Sequence, residues 1–380
     1  MTAILLFADT ERSAAMRHEI PLAIPDPFLY AELDGRRAAV VNVLERDRIA
    51  AVAPDVELLD RERFGYDELI GEGRSAAEAD VEVVVRACAQ LGIRRALVPD
   101  DYPLGLADRL RADGVDLVVD TREFEHRRRG KNEVELAGIR RAQGAADAGM
   151  AAVADLLREA RPDGEVLRGP SDVLTAEAVR ARVREVCARR GAPAPPDVIV
   201  APGAQGAAGH EPGSGPLAPR TPIIVDIWPW DERSGCYADM TRTFVVGDPS
   251  PETAEQHRLT LEALRLATAA LRPGVPGVAV YDAACGPFEA AGQPTKRTAP
   301  PGEPLRDGFY HGLGHGVGLE VHEPPRLARG GRDELVAGDV VTVEPGCYRF
   351  GHGGVRLEDL LLITADGAER LTDYPYDLRP

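Results

Sequence analysis

The chain has 380 residues, of which 44% are hydrophobic, and its 45 Lys and Arg stand against 62 Asp and Glu, a formal net charge of −17. At ~100–200 residues per domain this length predicts two domains, each with ample material for a core, and it excludes disorder as the default state. So acidic a chain, whose one basic stretch is Arg127–Lys131, has no general attraction for phosphate backbones or anionic lipid, so neither nucleic acid nor a membrane is expected as a partner.

The opening MTAILLFADTER meets Asp9 and Glu11 too early for a signal-peptide core, and no apolar run approaches the ~20 residues of a membrane span. A cytoplasmic protein is therefore expected. The first third mixes strand-like and helix-like segments. Ala77–Leu91 predicts a helix despite its valine run, and Arg95–Val98 and Val115–Val119 predict strands around an acidic turn and a polar helical stretch. This is α/β alternation. The basic junction Glu125–Lys131 precedes a helix over Asn132–Ala160, where Val134, Leu136, Ile139 and Ala142 recur at helical spacing. The boundary is placed there, giving domains over 1–125 and 126–380.

A further helix is predicted over Asp172–Arg190, before a GAPAPP turn and an apolar run, Asp197–Val200. Strands carrying polar residues inside apolar runs follow at Ile223–Trp228, Tyr237–Val246, Asp339–Cys347 and Gly354–Thr364, with helices over Pro251–Leu271 and Val278–Ala291 between the second and the third. The five cysteines (88, 187, 236, 285 and 347) are scattered and form no CxxC, which argues against a disulfide framework or a thiolate zinc site and predicts small buried residues.

The chemistry gathers after residue 200. In CYADMTRTFVVG, period-two alternation puts Asp239, Thr241 and Thr243 on one face and Met240, Arg242 and Phe244 on the other. A buried carboxylate costs several kcal/mol unless it is paired or bound to a metal. A salt bridge to Arg242 is disfavoured, because residues three apart on a strand point to opposite faces; this strand alone leaves ligand and structural roles open. The anomaly recurs at Asp226 in PIIVDIW, Glu344 in VVTVEPG and Glu358 in VRLEDLLLIT, where Arg356 shares the Glu358 face. Four such carboxylates against two comparably placed arginines point to a shared divalent cation, and oxygen-rich ligation suits manganese, magnesium, iron or cobalt better than structural zinc.

Three of the eight histidines lie in HGLGHGVGLEVH, at His311, His315 and His322. The alternate glycines disfavour a helix, so His311 and His315 are not a zincin pair, and the glycines suggest backbone packed closely around a ligand. Histidines converging with buried carboxylates favour a metal and proton-transfer site.

The series VDIW…GCYADMTRTFVVG, HGLGHGVGLEVHE, VVTVEPGCY and GGVRLEDLLLIT resembles, in order and spacing over residues 125–380, the pita-bread metallopeptidases: prolidase, aminopeptidase P and methionine aminopeptidase. It is most similar to the prolidase and aminopeptidase P branch. The resemblance implies a creatinase-like α/β amino-terminal domain followed by an α+β pita-bread catalytic domain with a curved, mainly antiparallel sheet. It implies two divalent ions, manganese foremost with cobalt, iron or zinc as alternatives, on Asp226, Asp239, His315, Glu344 and Glu358. Asp239 and Glu358 would bridge the ions, Asp226 would complete one, and His315 with Glu344 the other. His210, His311 and His322 match substrate-side imidazoles, and Arg356 matches an arginine that positions Glu358 or the substrate. The implied reaction is hydrolysis of an Xaa-Pro amide in a short peptide by a water bridging the two ions, with Glu344 handling its proton and His322, helped by His311, attending the tetrahedral intermediate or departing nitrogen. The resemblance also implies an oligomer, with a homodimer expected.

Two departures from the pattern concern the substrate. Asp226-Ile227-Trp228 replaces the usual Asp-x-Gly, in a connection to Asp239 about two residues longer than usual, and Glu211-Pro212 follows His210 where an aromatic is common. Trp228 and Trp230 either pack in the core or a subunit interface, or reshape the pocket. The competing readings are a creatinase-like enzyme, which works without metal and has lost ligands kept here; a metal-using amidase of the same fold acting on a small non-peptide amide; and a non-catalytic binding module.

Overall fold

The computed structural model describes residues 2–300 and 302–380. Contacts divide the chain into two compact units, Met1–Arg128 and Arg129–Pro380.

The first unit is built on six strands, β1 (Ala3–Ala8), β2 (Phe28–Leu33), β3 (Arg36–Val41), β4 (Val56–Asp60), β5 (Arg95–Val98) and β6 (Asp116–Val119), in the order β4-β3-β2-β1-β5-β6. Its α-helices are α1 (Ala14–Glu19), α2 (Val43–Val52), α3 (Tyr66–Gly71), α4 (Ala76–Leu91), α5 (Leu104–Ala112) and α6 (Thr121–Arg129). Only β2 runs against the rest of the sheet. Alternation along β1 sends Ala3 and Leu5 into a core with Val83, Val84 and Cys88 of α4, and Ile4 and Leu6 into a second core with Met16 and Ile49. Both faces are thereby covered, as a mostly parallel sheet requires.

In the second unit the long helix α7 (Glu133–Glu159) opens on a capping box: Asn132 accepts from the Glu135 amide while the Glu135 carboxylate accepts from the Asn132 amide. The hairpin β7 (Arg161–Asp163) and β8 (Val166–Arg168) leads to α8 (Ala176–Arg189), which starts four residues later than predicted because Thr175 caps it. Three antiparallel strands follow, β9 (Ile199–Pro202), β10 (Ile223–Ile227) and β11 (Met240–Phe244), and α7 and α8 pack on them through Met150, Val183, Val225 and Phe244.

The helices α9 (Pro251–Ala270) and α10 (Gly277–Ala290) then precede β12 (Gly314–Gly316), β13 (Glu323–Leu327), β14 (Val340–Val343), β15 (Gly346–Arg349), β16 (Gly353–Arg356), β17 (Asp359–Ile363) and β18 (Ala368–Arg370). Five of these form the antiparallel sheet β13-β12-β14-β17-β18, and β15 pairs with β16 and, at Tyr348, with Gly308. The last two predicted long strands are thus each broken. Pro345, which has no amide to donate, stands between β14 and β15. The second break, at Leu357 and Glu358, lies where the Glu358 amide donates to the Thr241 carbonyl at 3.0 Å.

All five cysteines are buried and free, and burial pushes the thiols of Cys88, Cys187, Cys236 and Cys347 up to about 12. No helix among the described residues is long and apolar enough to cross a membrane.

Candidate metal centre and its cavity

The carboxylates sit where strands end. Asp226 lies near the end of β10, Asp239 one residue before β11, Glu344 one residue after β14 and Glu358 one residue before β17. The antiparallel register pairs Asp226 with Thr241, and the same register continues past the strand ends to the Trp230–Tyr237 bridge, so Trp228 stands opposite Asp239. Together with His315 of β12 these four carboxylates line one cavity of about 960 Å³.

Within it, ligand atoms of Asp239, His315 and Glu358 lie within 4.8 Å of one another, and His315 Nε2 is 3.8 Å from Asp239 Oδ2 and 3.7 Å from Glu344 Oε1. His315 Nδ1 is 3.0 Å from the Gly316 carbonyl, which only accepts, so Nδ1 carries the proton. Burial, reinforced by nearby His322, holds the ring's pKa down to about 3 and keeps it neutral. Its Nε2 lone pair therefore faces carboxylate oxygens, acceptor against acceptor. The buried Oδ1 atoms of Asp226 and Asp239 have no hydrogen-bond partner either. A divalent cation held among Asp239, His315 and Glu358 would answer the His315 lone pair and the Asp239 oxygen, and that donor set fits it, while Asp226 and Glu344 lie outside this tightest group.

Without a cation the cluster resists ionisation. Burial and the charges of Glu358, Asp226 and Glu344 push Asp239 well above the ordinary carboxylate range. Burial and Asp226 push Glu344 up to about 8 against the pull of Arg356. Burial and the charges of Glu344 and Asp226 likewise raise Glu358.

The surrounding side chains hold these candidate ligands in place. Thr241 Oγ1 donates to Glu358 Oε2 at 2.8 Å. Arg356 Nη2 donates to Asp226 Oδ2 at 2.6 Å, so this arginine meets the ligand of β10 rather than Glu358 beside it. Arg242, 1% exposed, turns away from Asp239: it pairs with Asp359 at 2.9 Å and donates to the Glu358 carbonyl at 2.6 Å, fixing the break before β17.

The histidines separate by environment. His311 has both ring nitrogens engaged, Nδ1 with the Gly312 carbonyl at 2.6 Å and Nε2 with the Tyr348 hydroxyl at 2.9 Å, and burial with the Arg356 charge holds its pKa down to about 3. His322 stands edge-on to His315 with ring centroids 4.3 Å apart, and it is kept toward neutrality by burial and the neighbouring His210 and Arg326. His210 is exposed and lines the same cavity. Gly312 and Gly314 border the cavity, but the closest constraint on Gly314 is protein backbone: a Cβ there would lie 2.1 Å from the Thr342 carbonyl oxygen. At Gly316 it would lie 2.2 Å from that of Pro324. These two glycines serve strand contact rather than a ligand.

The two tryptophans part company: Trp228 lines the cavity, and Trp230 packs against Tyr237 with centroids 6.3 Å apart. Sequence reasoning missed Tyr348, the positioning role of Arg242, and Arg326, a cavity-lining arginine of β13 whose side chain forms no hydrogen bond or ion pair among the described residues. The alternation of TRTF already carried Arg242; nothing in HEPPR signalled Arg326.

A model of metallopeptidase family M24 matches residues 137–365, a span that contains the five candidate ligands. The chain belongs to family M24. A probable dipeptidase PepE of Mycobacterium tuberculosis is 32% identical over 282 residues, 74% of this chain and 68% of the relative. An Xaa-Pro dipeptidase of Pyrococcus furiosus is 36% identical over 196 residues, 51% of this chain and 52% of that protein. Among solved structures, dipeptidase PepE from Mycobacterium ulcerans superposes with a TM-score of 0.73 at 27% identity, covering 100% of this chain and 93% of that one. The X-Pro aminopeptidase of Thermotoga maritima superposes with a TM-score of 0.79 at 22% identity, covering 99% and 97%, a likeness that carries the fold alone. An M24 chain with this architecture is a hydrolase with the pita-bread catalytic fold, and the family uses divalent metal ions.

Proposed function

We propose that this M24 enzyme hydrolyses the amide bond of short Xaa-Pro peptides, dipeptides foremost, with two divalent ions held by Asp226, Asp239, His315, Glu344 and Glu358. The observation that carries the proposal is the neutral His315 lone pair facing the Asp239 and Glu344 carboxylates, with a buried Asp239 oxygen left without a partner. Bound there, the ions would supply an acidified water and neutralise charge developing on the scissile carbonyl oxygen.

The chain's own residues do the rest. Glu344, a carboxylate of the cavity wall 3.7 Å from His315 Nε2, takes the proton of the attacking water. Neutral His322 offers an N–H to the tetrahedral oxyanion or the departing nitrogen, with His210 beside it. His311, with both nitrogens occupied, steadies Tyr348, and Arg356 holds Asp226 in line. Arg326, an unpaired cation in the cavity wall, takes the free carboxylate of a dipeptide. Manganese is the first ion to supply. The amino-terminal unit is taken as the creatinase-like domain, and a homodimer in the cytoplasm completes the proposal.

The test is turnover of Xaa-Pro dipeptides against Xaa-Pro-Yaa peptides with added Mn²⁺. Dipeptides should be preferred, and Arg326→Leu should raise the dipeptide KM roughly tenfold or more while changing a tripeptide amide less. Metal-loaded protein that hydrolyses neither would transfer the assignment to a small non-peptide amide. Glu358→Ala should lose metal and nearly all turnover; an active Glu358→Ala would refute the ligand set.

A further inference from the structure

We propose that Trp228 and Asp197 form a subsite for a basic side chain on the amino side of the scissile bond, so that the enzyme favours substrates beginning with arginine or lysine. This rests on the peptide-hydrolase reading above and names the substrate class within it.

The geometry follows from the β9–β10–β11 sheet. Trp228 lies two residues beyond Asp226 and opposite Asp239, so the pleat turns it to the same side as both carboxylates, and its half-buried ring lines the cavity. On the neighbouring strand Ile199 pairs with Asp226, and Asp197, two residues earlier, borders the same cavity. Asp197 is exposed and forms no hydrogen bond or ion pair among the described residues. An aromatic face with an unpaired carboxylate nearby recognises an organic cation, through the ring quadrupole and through charge.

Which cation is settled by reach. The α-ammonium of the substrate is attached to the carbon next to the scissile carbonyl and must stay among the metal-site carboxylates. Asp197 stands in the turn that leads into β9, and Trp228 lies one same-face step beyond Asp226, roughly 7 Å away. That is the span of an arginine or lysine side chain. Of the two arginines that line the cavity, Arg356 is committed to Asp226, and neither pairs with Asp197. Arg180, whose guanidinium donates to the Val198 carbonyl at 2.7 Å, does not pair with Asp197 either, so that carboxylate is left for the substrate.

The experiment compares kcat/KM for Arg-Pro, Leu-Pro and Glu-Pro, which share an α-ammonium, in the wild type, Asp197→Asn and Trp228→Leu. The expected result is an Arg-Pro preference over Leu-Pro of roughly fivefold to tenfold, with Glu-Pro lowest, and each variant should cut that ratio severalfold. A second readout needs no turnover. In a Trp230→Phe background Trp228 is the sole tryptophan, and its fluorescence should respond to arginine but not to norleucine, the difference disappearing in Asp197→Asn. An Arg-Pro to Leu-Pro ratio near one in the wild type, or a ratio that neither variant moves, overturns the subsite. Failure to hydrolyse any Xaa-Pro peptide together with an Asp197-dependent arginine response would sink the function and keep the subsite. Failure of both would sink both.

Discussion

Thr241 carries more of the metal centre than its size suggests. Its hydroxyl donates to Glu358 Oε2 at 2.8 Å and lies 3.3 Å from Arg356 Nε, so one side chain orients a ligand and the arginine that braces another. Partners that fix a ligand's orientation govern metal affinity nearly as strongly as the ligands do. Thr241→Val keeps the shape and removes the hydroxyl. It should weaken metal binding roughly 10- to 100-fold in a calorimetric titration, while the fold is retained. Unchanged affinity would show that Glu358 is held by its backbone alone, through the Arg242 contact.

At the scale of elements, the close approach of β12 to β14 is what delivers His315. Gly314→Ala would place a methyl group 2.1 Å from the Thr342 carbonyl oxygen, a contact that only strand displacement relieves. The substitution should cost about 1–3 kcal/mol in urea unfolding and displace His315, so metal binding should fail with it. Near-wild-type stability would mean that the strands have room to part. The same elements show what was legible in the chain. The helix over Asn132–Ala160 was readable because its apolar residues recur at helical spacing within its own length, and the structure adds the capping box, with Asn132 and Ala160 as its caps. The four carboxylates stood out because a carboxylate inside an apolar run is costly to bury unless a cation offsets its charge, and all four line the one cavity. The breaks at Glu344-Pro345 and Leu357-Glu358 were not, since they arise where the chain leaves one sheet for another pairing. Nor were the short β12 and β13, whose glycines and prolines speak against strands until neighbouring strands pair with them.

Over the whole molecule, acid should act on several charge clusters outside the metal site. In the amino-terminal unit the Glu19 carboxylate is buried, which alone would raise its pKa, but Arg127 at 2.7 Å, helped by the Tyr30 hydroxyl, holds it below the ordinary range. Arg37 pairs with it as well, at 3.0 Å. A carboxylate depressed on folding stabilises the native state above its unfolded pKa of about 4.5, and that contribution is lost as pH falls through the lower folded value. Glu19→Gln should therefore cost on the order of 2 kcal/mol at pH 7 and flatten the fall of stability below pH 4.5, read from denaturant unfolding at a series of pH values. A parallel pH profile in the variant would remove Glu19 from the account. The five buried thiols bear on a different measurement. All five are buried, and burial holds four of the thiols well above neutrality, which disfavours the thiolate that soft contaminants such as copper or mercury need. The stoichiometry returned by elemental analysis of the purified protein then counts carboxylate-site occupancy, free of a sulfur-bound background.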